Sequence, residues 1–376
     1  MMNKKMILIW STTIFLAALG TTGAFANDLG LDTDLGEKLW PGEDASIQSM
    51  ANTISQLLEK RFSEGQRPAI RDAHAKGHGC VKADFKVEEK LDPALTQGVF
   101  IPGQSYKAWI RFSNGSGEIN PDKGADARGM AIKLTGVEGL KILPDEALEK
   151  TQDFVMISGP VFFIDDPRKY AALLHGHDSD NKAEQLLAVT KLSPRGIVNA
   201  LELGSTKIAS PLEHQYWSTT PYRLGVGKDK VAIKFTARPC TPLQSTIPRK
   251  PGADFLKEEM QATLSSKDAC FDFYVQTFKD FKNTPVEKST IEWKEKSAPL
   301  IKVATVTIPK QKFDSQAQMT FCENLSFTPW HALPAHKPLG AVNRARRVIY
   351  STISKLRHQQ NNVVRKEPTG DETFSD

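Results

Sequence analysis

Between Ala45 and Arg61, apolar residues fall at Ile47, Met50, Ile54, Leu57 and Leu58. That three- and four-residue spacing lines one face of a helix. From about Lys82 the period shortens to two. Residues 106–112, 130–134, 231–235 and 303–308 alternate apolar with polar or small side chains, between Gly, Pro, Asn and Asp turns. This is the pattern of half-buried antiparallel strands, and residues 271–276 add another. Between the two strand-rich halves, Asp166 to about Leu203 reads as helices punctuated by Ser193-Pro194. After Pro309 the alternation stops, a loop carries Pro329-Trp330-His331, and residues 343–357 read as one helix. No internal repeat is visible, and residues 242–251 form a loop too short for a domain linker. The pattern predicts one α+β domain, residues 27–360, a β-rich body closed by helices at both ends. The remaining 361–376 is polar and expected to be a disordered tail.

The first 26 residues follow a different logic. Lys4 and Lys5 precede an uncharged apolar stretch from Met6 to about Leu19, and Ala24-Phe25-Ala26 offers small residues for cleavage. This three-part layout predicts a secretory signal, with a mature chain from Asn27 that is periplasmic or secreted. An uncleaved anchor is the alternative. Thr21, Thr22 and two glycines make its second half a poor span, so no stable membrane insertion is expected after cleavage.

Composition narrows the class. The 376 residues are 40% hydrophobic and 25% charged, as in soluble globular proteins, and are enough to bury a cofactor. A net charge of +5, spread along the chain, argues against a nucleic-acid partner. Cys80, Cys240, Cys270 and Cys322 lack C-x-x-C spacing, which argues against zinc. Export allows one or two disulfides among three possible pairings. Cys240 with Cys270 is preferred because both flank neighbouring strands; four buried thiols are the alternative.

Two residues far apart carry the candidate chemistry. His74 stands in Arg71-Asp72-Ala73-His74-Ala75-Lys76-Gly77-His78-Gly79, and a histidine beside a reactive oxygen can shuttle a proton. Tyr350 follows Arg346 by four residues, on one helix face, and Arg357 falls on nearly the same side. Tyrosine binds iron as its phenolate, the form that a nearby guanidinium favours. Ala345, Ile349, Thr352 and Leu356 offer a separate buried stripe, so a basic surface helix is the plain alternative.

Ordered blocks join these ends. His74-Ala75-Lys76-Gly77 with Gly79, Arg111-Phe112-Ser113 with Gly117-Glu118, and Asp126-x-Arg128-Gly129 come first. Pro160-Val161-Phe162-Phe163-Ile164 with Asp166-Pro167, then Arg346-x-x-x-Tyr350, complete the series. In this order and spacing, over residues 60 to 360, the chain resembles the catalase superfamily, most of all its small exported catalase-related haem peroxidases. The resemblance implies an antiparallel β-barrel with flanking helices, and haem b (iron protoporphyrin IX) between barrel and C-terminal helix. His74 then matches the distal acid–base histidine, Ser113 the hydroxyl that orients it, and Tyr350 the axial iron ligand. Arg71 and Arg111 match the partners of the haem propionates. Phe163, Tyr170, Arg346 and Arg357 are placed with the cofactor-binding residues. His78, Met156, His331 and His336 lack the arginine-supported helix context of Tyr350 and are not expected as axial ligands.

The departures shift the expected activity. Large catalases carry an asparagine that holds peroxide where this chain has Ile157 and Ser158, and Gly115 replaces a branched residue that narrows their channel. Serine is shorter, so Ser158 is expected to hold hydrogen peroxide less well, and a wider approach favours bulkier peroxides or organic donors. The expectation is a peroxidase that uses a small organic electron donor, with some catalase activity, and a homo-oligomer is allowed. A true catalase, a fatty-acid hydroperoxide isomerase and a non-enzymatic haem-binding barrel are the alternatives.

Overall fold

The computed structural model describes residues 30–178, 181–241 and 244–374; the expected signal segment lies outside them. From Leu31 onward the chain forms one unit. Its sheet runs β1 (Gly77–Val87), β2 (Ser105–Asn114), β3 (Arg128–Thr135), β4 (Thr151–Ile157) and β5 (Tyr216–Trp217). These are followed by β6 (Tyr222–Leu224), β7 (Val231–Pro239), β8 (Ala269–Thr277) and β9 (Ile301–Ile308). Neighbours pair in the order β5-β4-β3-β2-β1-β9-β8-β7-β6. A further β5–β7 pairing joins the ends, so eight antiparallel strands close into a barrel with β6 outside the ring. Closure leaves no long unpaired edge.

The two-residue period decides what fills the barrel. Ala108, Ile110 and Phe112 of β2, Met130, Ile132 and Leu134 of β3, and Ile233, Phe235 and Ala237 of β7 point inward into one apolar core. The intervening residues face outward, among them Arg111, Ser113, Gly129, Ala131 and Lys133. The polar half of each strand is therefore not spent on solvent. It is covered by helices, and there the chemistry sits.

The helices are α1 (Glu43–Ser63), α2 (Pro167–Asp178), α3 (Lys182–Val189), α4 (Pro194–Gly204), α5 (Phe255–Ser266), α6 (Gln316–Asn324) and α7 (Ala341–Gln360). The predicted stripe of α1 is buried at Ile47, Met50, Ile54 and Leu58, against Ala345, Ile349 and Ile353 of α7 and Ala171 of α2. Acidic Glu43 and Asp44 open α1, and Lys60 and Arg61 close it, which suits the helix dipole at both ends. Ser193 caps α4 by accepting from the Gly196 N–H at 3.0 Å, with Pro194 in the first turn, as the Ser-Pro punctuation suggested. Among the described residues, no helix is long and apolar enough to cross a membrane.

Both disulfides form. Cys240 pairs with Cys270, joining the end of β7 to β8, and Cys80 pairs with Cys322, tying β1 to α6. The second pairing spans 242 residues and could not be chosen from sequence.

The expected disordered tail is a correction. Residues 361–374 lie along the barrel's outer wall: Glu367 is buried against Lys133 at 2.6 Å, Glu372 accepts from the Trp109 indole at 2.9 Å, and Phe374 packs on Trp109. Its polarity is that of side chains paired with a charged wall. Lys133, fully buried, also meets Asp153 at 2.7 Å, and His331 bonds Asp153 at 2.9 Å. Those buried charges need the tail as counter-charge.

Candidate active site

A cavity of about 750 Å³, its mouth included, lies outside the barrel between β2–β4 and α7. His74, Arg111, Ser113, Gly129, Ala131 and Val155 line one side, and Tyr350, Ile353, Ser354 and Arg357 line the other. Register makes the barrel side low and smooth: Ser113 faces Gly129, Arg111 faces Ala131, and Ala131 faces Val155. A β-carbon on Gly129 would meet both His74 and Ser113, so only a bare backbone fits there.

His74 is held by an unusual backbone. Its φ is +57°, a left-handed conformation that costs a non-glycine residue about 1–2 kcal/mol. Neighbouring bonds offset this. The His74 N–H donates to Gly115 O and the Ala75 N–H to Ser116 O, both at 3.0 Å, while Arg111 donates to His74 O at 2.9 Å. The Asp126 carboxylate in turn accepts from the Gly115 and Ser116 N–H groups at 3.1 and 2.9 Å. The Asp126-x-Arg128-Gly129 block therefore acts twice, fixing the turn that grips His74 and clearing the space beneath it.

The imidazole is oriented and neutral. Nδ1 lies 3.1 Å from Ser113 Oγ. Burial, reinforced by the charge of Arg111, lowers its pKa to about 4. When Nδ1–H donates to Ser113, Nε2 keeps its lone pair as the basic position.

Across the cavity, the Tyr350 phenol shows the limit of the sequence argument. Arg346 favours its phenolate, as expected, but burial dominates and, with Asp72, pushes its pKa up. One guanidinium is not enough; a cation placed at the phenol oxygen is what would ionise it. Arg346 stands behind the tyrosine and donates to Thr220 Oγ1 at 3.1 Å, its guanidinium 5.5 Å from the Phe162 ring.

Three more predicted residues gather at one end. Arg71, Arg111 and Arg357 converge on Glu323 of α6. Arg71 pairs with its carboxylate, Arg111 approaches it at 3.7 Å, and Arg357 donates to its backbone carbonyl. Burial and the charge of Arg71 hold both Arg111 and Arg357 well below the usual arginine range. Two guanidiniums share one carboxylate while the third meets only backbone carbonyls, and Arg111 Nε is buried without a partner. An anion at this end would relieve both conditions.

Other expected residues lie elsewhere. Ser158 does not line the cavity, a correction to its expected place beside peroxide; its hydroxyl accepts from the Arg128 N–H at 2.9 Å, fixing the β3–β4 edge. Phe163 and Tyr170 also lie off the cavity lining. Phe163 stacks on Phe162 at 4.3 Å and meets Tyr170 edge-on at 5.9 Å. His78 bonds Asn114 at 3.0 Å, His336 accepts from the Val99 N–H at 2.9 Å, and His331 belongs to the Lys133 cluster, so all three are structural. Met156 does line the cavity. Sequence reasoning missed Glu323, Asp72, Gly129's packing role, Phe327 and Ser326. Glu323 had one signal, its place next to Cys322, which becomes informative only once that cysteine is paired with Cys80.

Fold and site together define a class: a closed eight-stranded antiparallel barrel whose outer wall and C-terminal helix face each other across a cavity with a histidine–serine pair and a tyrosine. The chain belongs to the catalase family, whose model matches residues 52–362. It is 26% identical over 307 residues to a catalase-related peroxidase of Mycolicibacterium paratuberculosis, covering 79% of this chain and 92% of that one. To a catalase of Latilactobacillus sakei it is 35% identical over 130 residues, 33% of this chain and 24% of the relative. A fungal catalase shares the fold with a TM-score of 0.62 at 18% identity, covering 84% of this chain and 65% of that one. Catalase A of Saccharomyces cerevisiae gives 0.62 at 19%, covering 84% and 67%. The chain thus spans about a quarter of the Latilactobacillus catalase and about two thirds of the solved ones.

Catalase-family proteins bind haem, and the residues present fit such a group. The low floor at Gly129 and Ala131 admits a flat body. The cationic excess at Arg71, Arg111 and Arg357 suits carboxylates, and the phenol of Tyr350 lacks only a cation to become a ligand.

Proposed function

We propose that the protein is a haem b-dependent oxidoreductase that reduces hydrogen peroxide or organic hydroperoxides with a small organic donor, with catalase activity as a minor reaction. The observation that carries this reading is the neutral, serine-oriented His74 facing Tyr350 across one cavity. Bound there, haem would supply the iron at which the peroxide O–O bond is cleaved. Tyr350 would hold that group from the α7 side, and Arg71, Arg111 and Arg357 would hold its carboxylates. His74 Nε2 would take the proton from one peroxide oxygen and return it to the other, so that the departing oxygen leaves as water. Ser113 keeps the ring at the angle this transfer needs.

Two points favour peroxidase over catalase action. A catalase-related peroxidase is matched over 79% of this chain and 92% of its own length, so the two are of similar extent. Ser158 is turned away into the barrel edge, so that position offers no group to hold a hydrogen peroxide molecule. The test compares oxygen release with oxidation of a phenolic donor in the purified haem-loaded protein. Donor oxidation should dominate; oxygen release at the faster rate would make it a catalase.

The same reading places the chain outside the cytoplasm, periplasmic or secreted, after loss of residues 1–26. It rests on the lysine, apolar and Ala-Phe-Ala pattern at the start and on the pairing of all four cysteines, which suits an oxidising compartment. N-terminal sequencing of the exported protein should begin at Asn27.

A further inference from the structure

A second cavity opens on the barrel's outer wall and shares no lining residue with the first. Pro160, Trp217, Trp293 and Leu300 give it apolar walls, and Lys234 projects into it from β7. The strand's alternation sends Ile233 and Phe235 into the barrel core and Lys234 outward, yet Lys234 is only 4% exposed. Its Nζ has no hydrogen-bond partner and lies 5.4 Å from the Trp293 ring.

Three of the polar groups around it, Asp165, Gln276 and Glu295, are committed elsewhere. Asp165 accepts from the Thr290 N–H at 2.7 Å, the Thr290 hydroxyl at 2.8 Å and the Ser289 hydroxyl at 3.0 Å. The Gln276 amide donates to Trp293 O and Ala298 O, both at 2.7 Å, and Glu295 pairs with Arg238 at 2.7 Å. A buried ammonium without an acceptor is costly, so the amine is driven toward its neutral form. Burial lowers its pKa to about 7 against the pull of Asp165 and Glu292, the charged groups that face it. A second anomaly stands on the same wall: Thr219, a β-branched residue, has φ +58°. Two unfavourable features in one small cavity point to a demand other than stability.

We propose that this cavity binds a small neutral aldehyde, with which the Lys234 amine condenses to an imine. The nitrogen lone pair forms the new C–N bond, the carbonyl oxygen leaves as water with both amine hydrogens, and no oxidant or reductant is consumed. The apolar walls suit an uncharged organic body. The carboxylates of Glu292 and Glu295 among the lining residues disfavour an anion, which distinguishes this site from a carboxylate or phosphate pocket. The proposal is independent of the peroxide chemistry.

The test is to treat the full-length protein at pH 7.5 with one equivalent of benzaldehyde, trap any imine with borohydride, and map the adducts by peptide mass. An ordinary lysine, with pKa about 10.4, is about 0.1% neutral at that pH. The adduct should therefore fall on Lys234, at least about ten-fold over any exposed lysine, and trapping should weaken as pH drops below 7. K234R should remove that adduct and leave peroxide turnover unchanged. The mapping in the unaltered protein needs no variant to fold. Adducts spread over exposed lysines with no excess at Lys234 would overturn the proposal. So would protection of Lys234 from benzaldehyde labelling by added benzoate with no protection by neutral benzyl alcohol, which would make the cavity an anion site.

Discussion

Gly129 lies directly beneath His74: a β-carbon on it would stand 2.5 Å from the imidazole Nδ1 and 2.7 Å from Ser113 Oγ. Gly129→Ala must push the pair apart. The expected result is a fall in peroxide turnover of about 10²-fold, for about 1–3 kcal/mol of stability. Steady-state kinetics beside thermal unfolding check this. Unchanged turnover would show that the His74–Ser113 contact is dispensable.

His74→Ala should lower turnover by about 10²–10⁴-fold while leaving haem content unchanged. Because burial holds the imidazole at about 4, turnover in the wild type should stay level through neutral pH and decline only as pH falls through about 4. An acid limb centred near 6.5 would mean that the ring is solvated and the neutral-base reading is wrong.

Tyr350→Phe removes the oxygen on which the proposed ligation depends and keeps the ring. The variant should fold, since α7 is anchored through Ala345, Ile349 and Ile353. The wild type with haem is expected to show the absorption signature of phenolate ligation, and the variant should lack it. Identical spectra would place the iron ligand elsewhere.

Acid should destabilise the protein through its buried histidines. Burial lowers His78 to about 4 and His336 to about 3, whereas in the unfolded chain each titrates near its ordinary value of 6.5. The unfolded state then binds more protons between those limits, so stability is complete above about pH 6.5 and is lost as pH falls toward 4 and 3. Urea midpoints measured from pH 7.5 to 3.5 should decline steadily; a flat series would contradict the neutral assignments.

Glu367→Gln tests the tail. It removes one counter-charge from Lys133, which is fully buried, and from the His331 cluster. Breaking a buried pair costs about 3–5 kcal/mol. Urea unfolding should show a loss of that order, and a variant as stable as the wild type would mean the tail is ornamental.

Sequence pattern located five strands and the first and last helices because each has one apolar face and one polar or small face. β4 was missed for the opposite reason: Thr151, Gln152, Asp153 and Phe154 are all buried, since helices and tail cover the barrel's outer wall and erase the alternation. His74, Ser113, Arg111 and Tyr350 were legible because short blocks carry them, Arg71 and Arg357 because they stand near His74 and Tyr350 in the chain, and the structure brings all six to one cavity. Ser158 misled, because a position in a block does not say which way a hydroxyl turns. Glu323 and the tail were not legible, because their meaning comes from partners more than 200 residues away.

The burial of Glu367 against Lys133 has a consequence for the order of assembly. The lysine precedes by 234 residues one of the two carboxylates that pair with it. Any stretch of chain that stops short of Glu367 must therefore leave Lys133 one counter-charge short, so β3 reaches its buried state only when this late segment has folded back onto the wall.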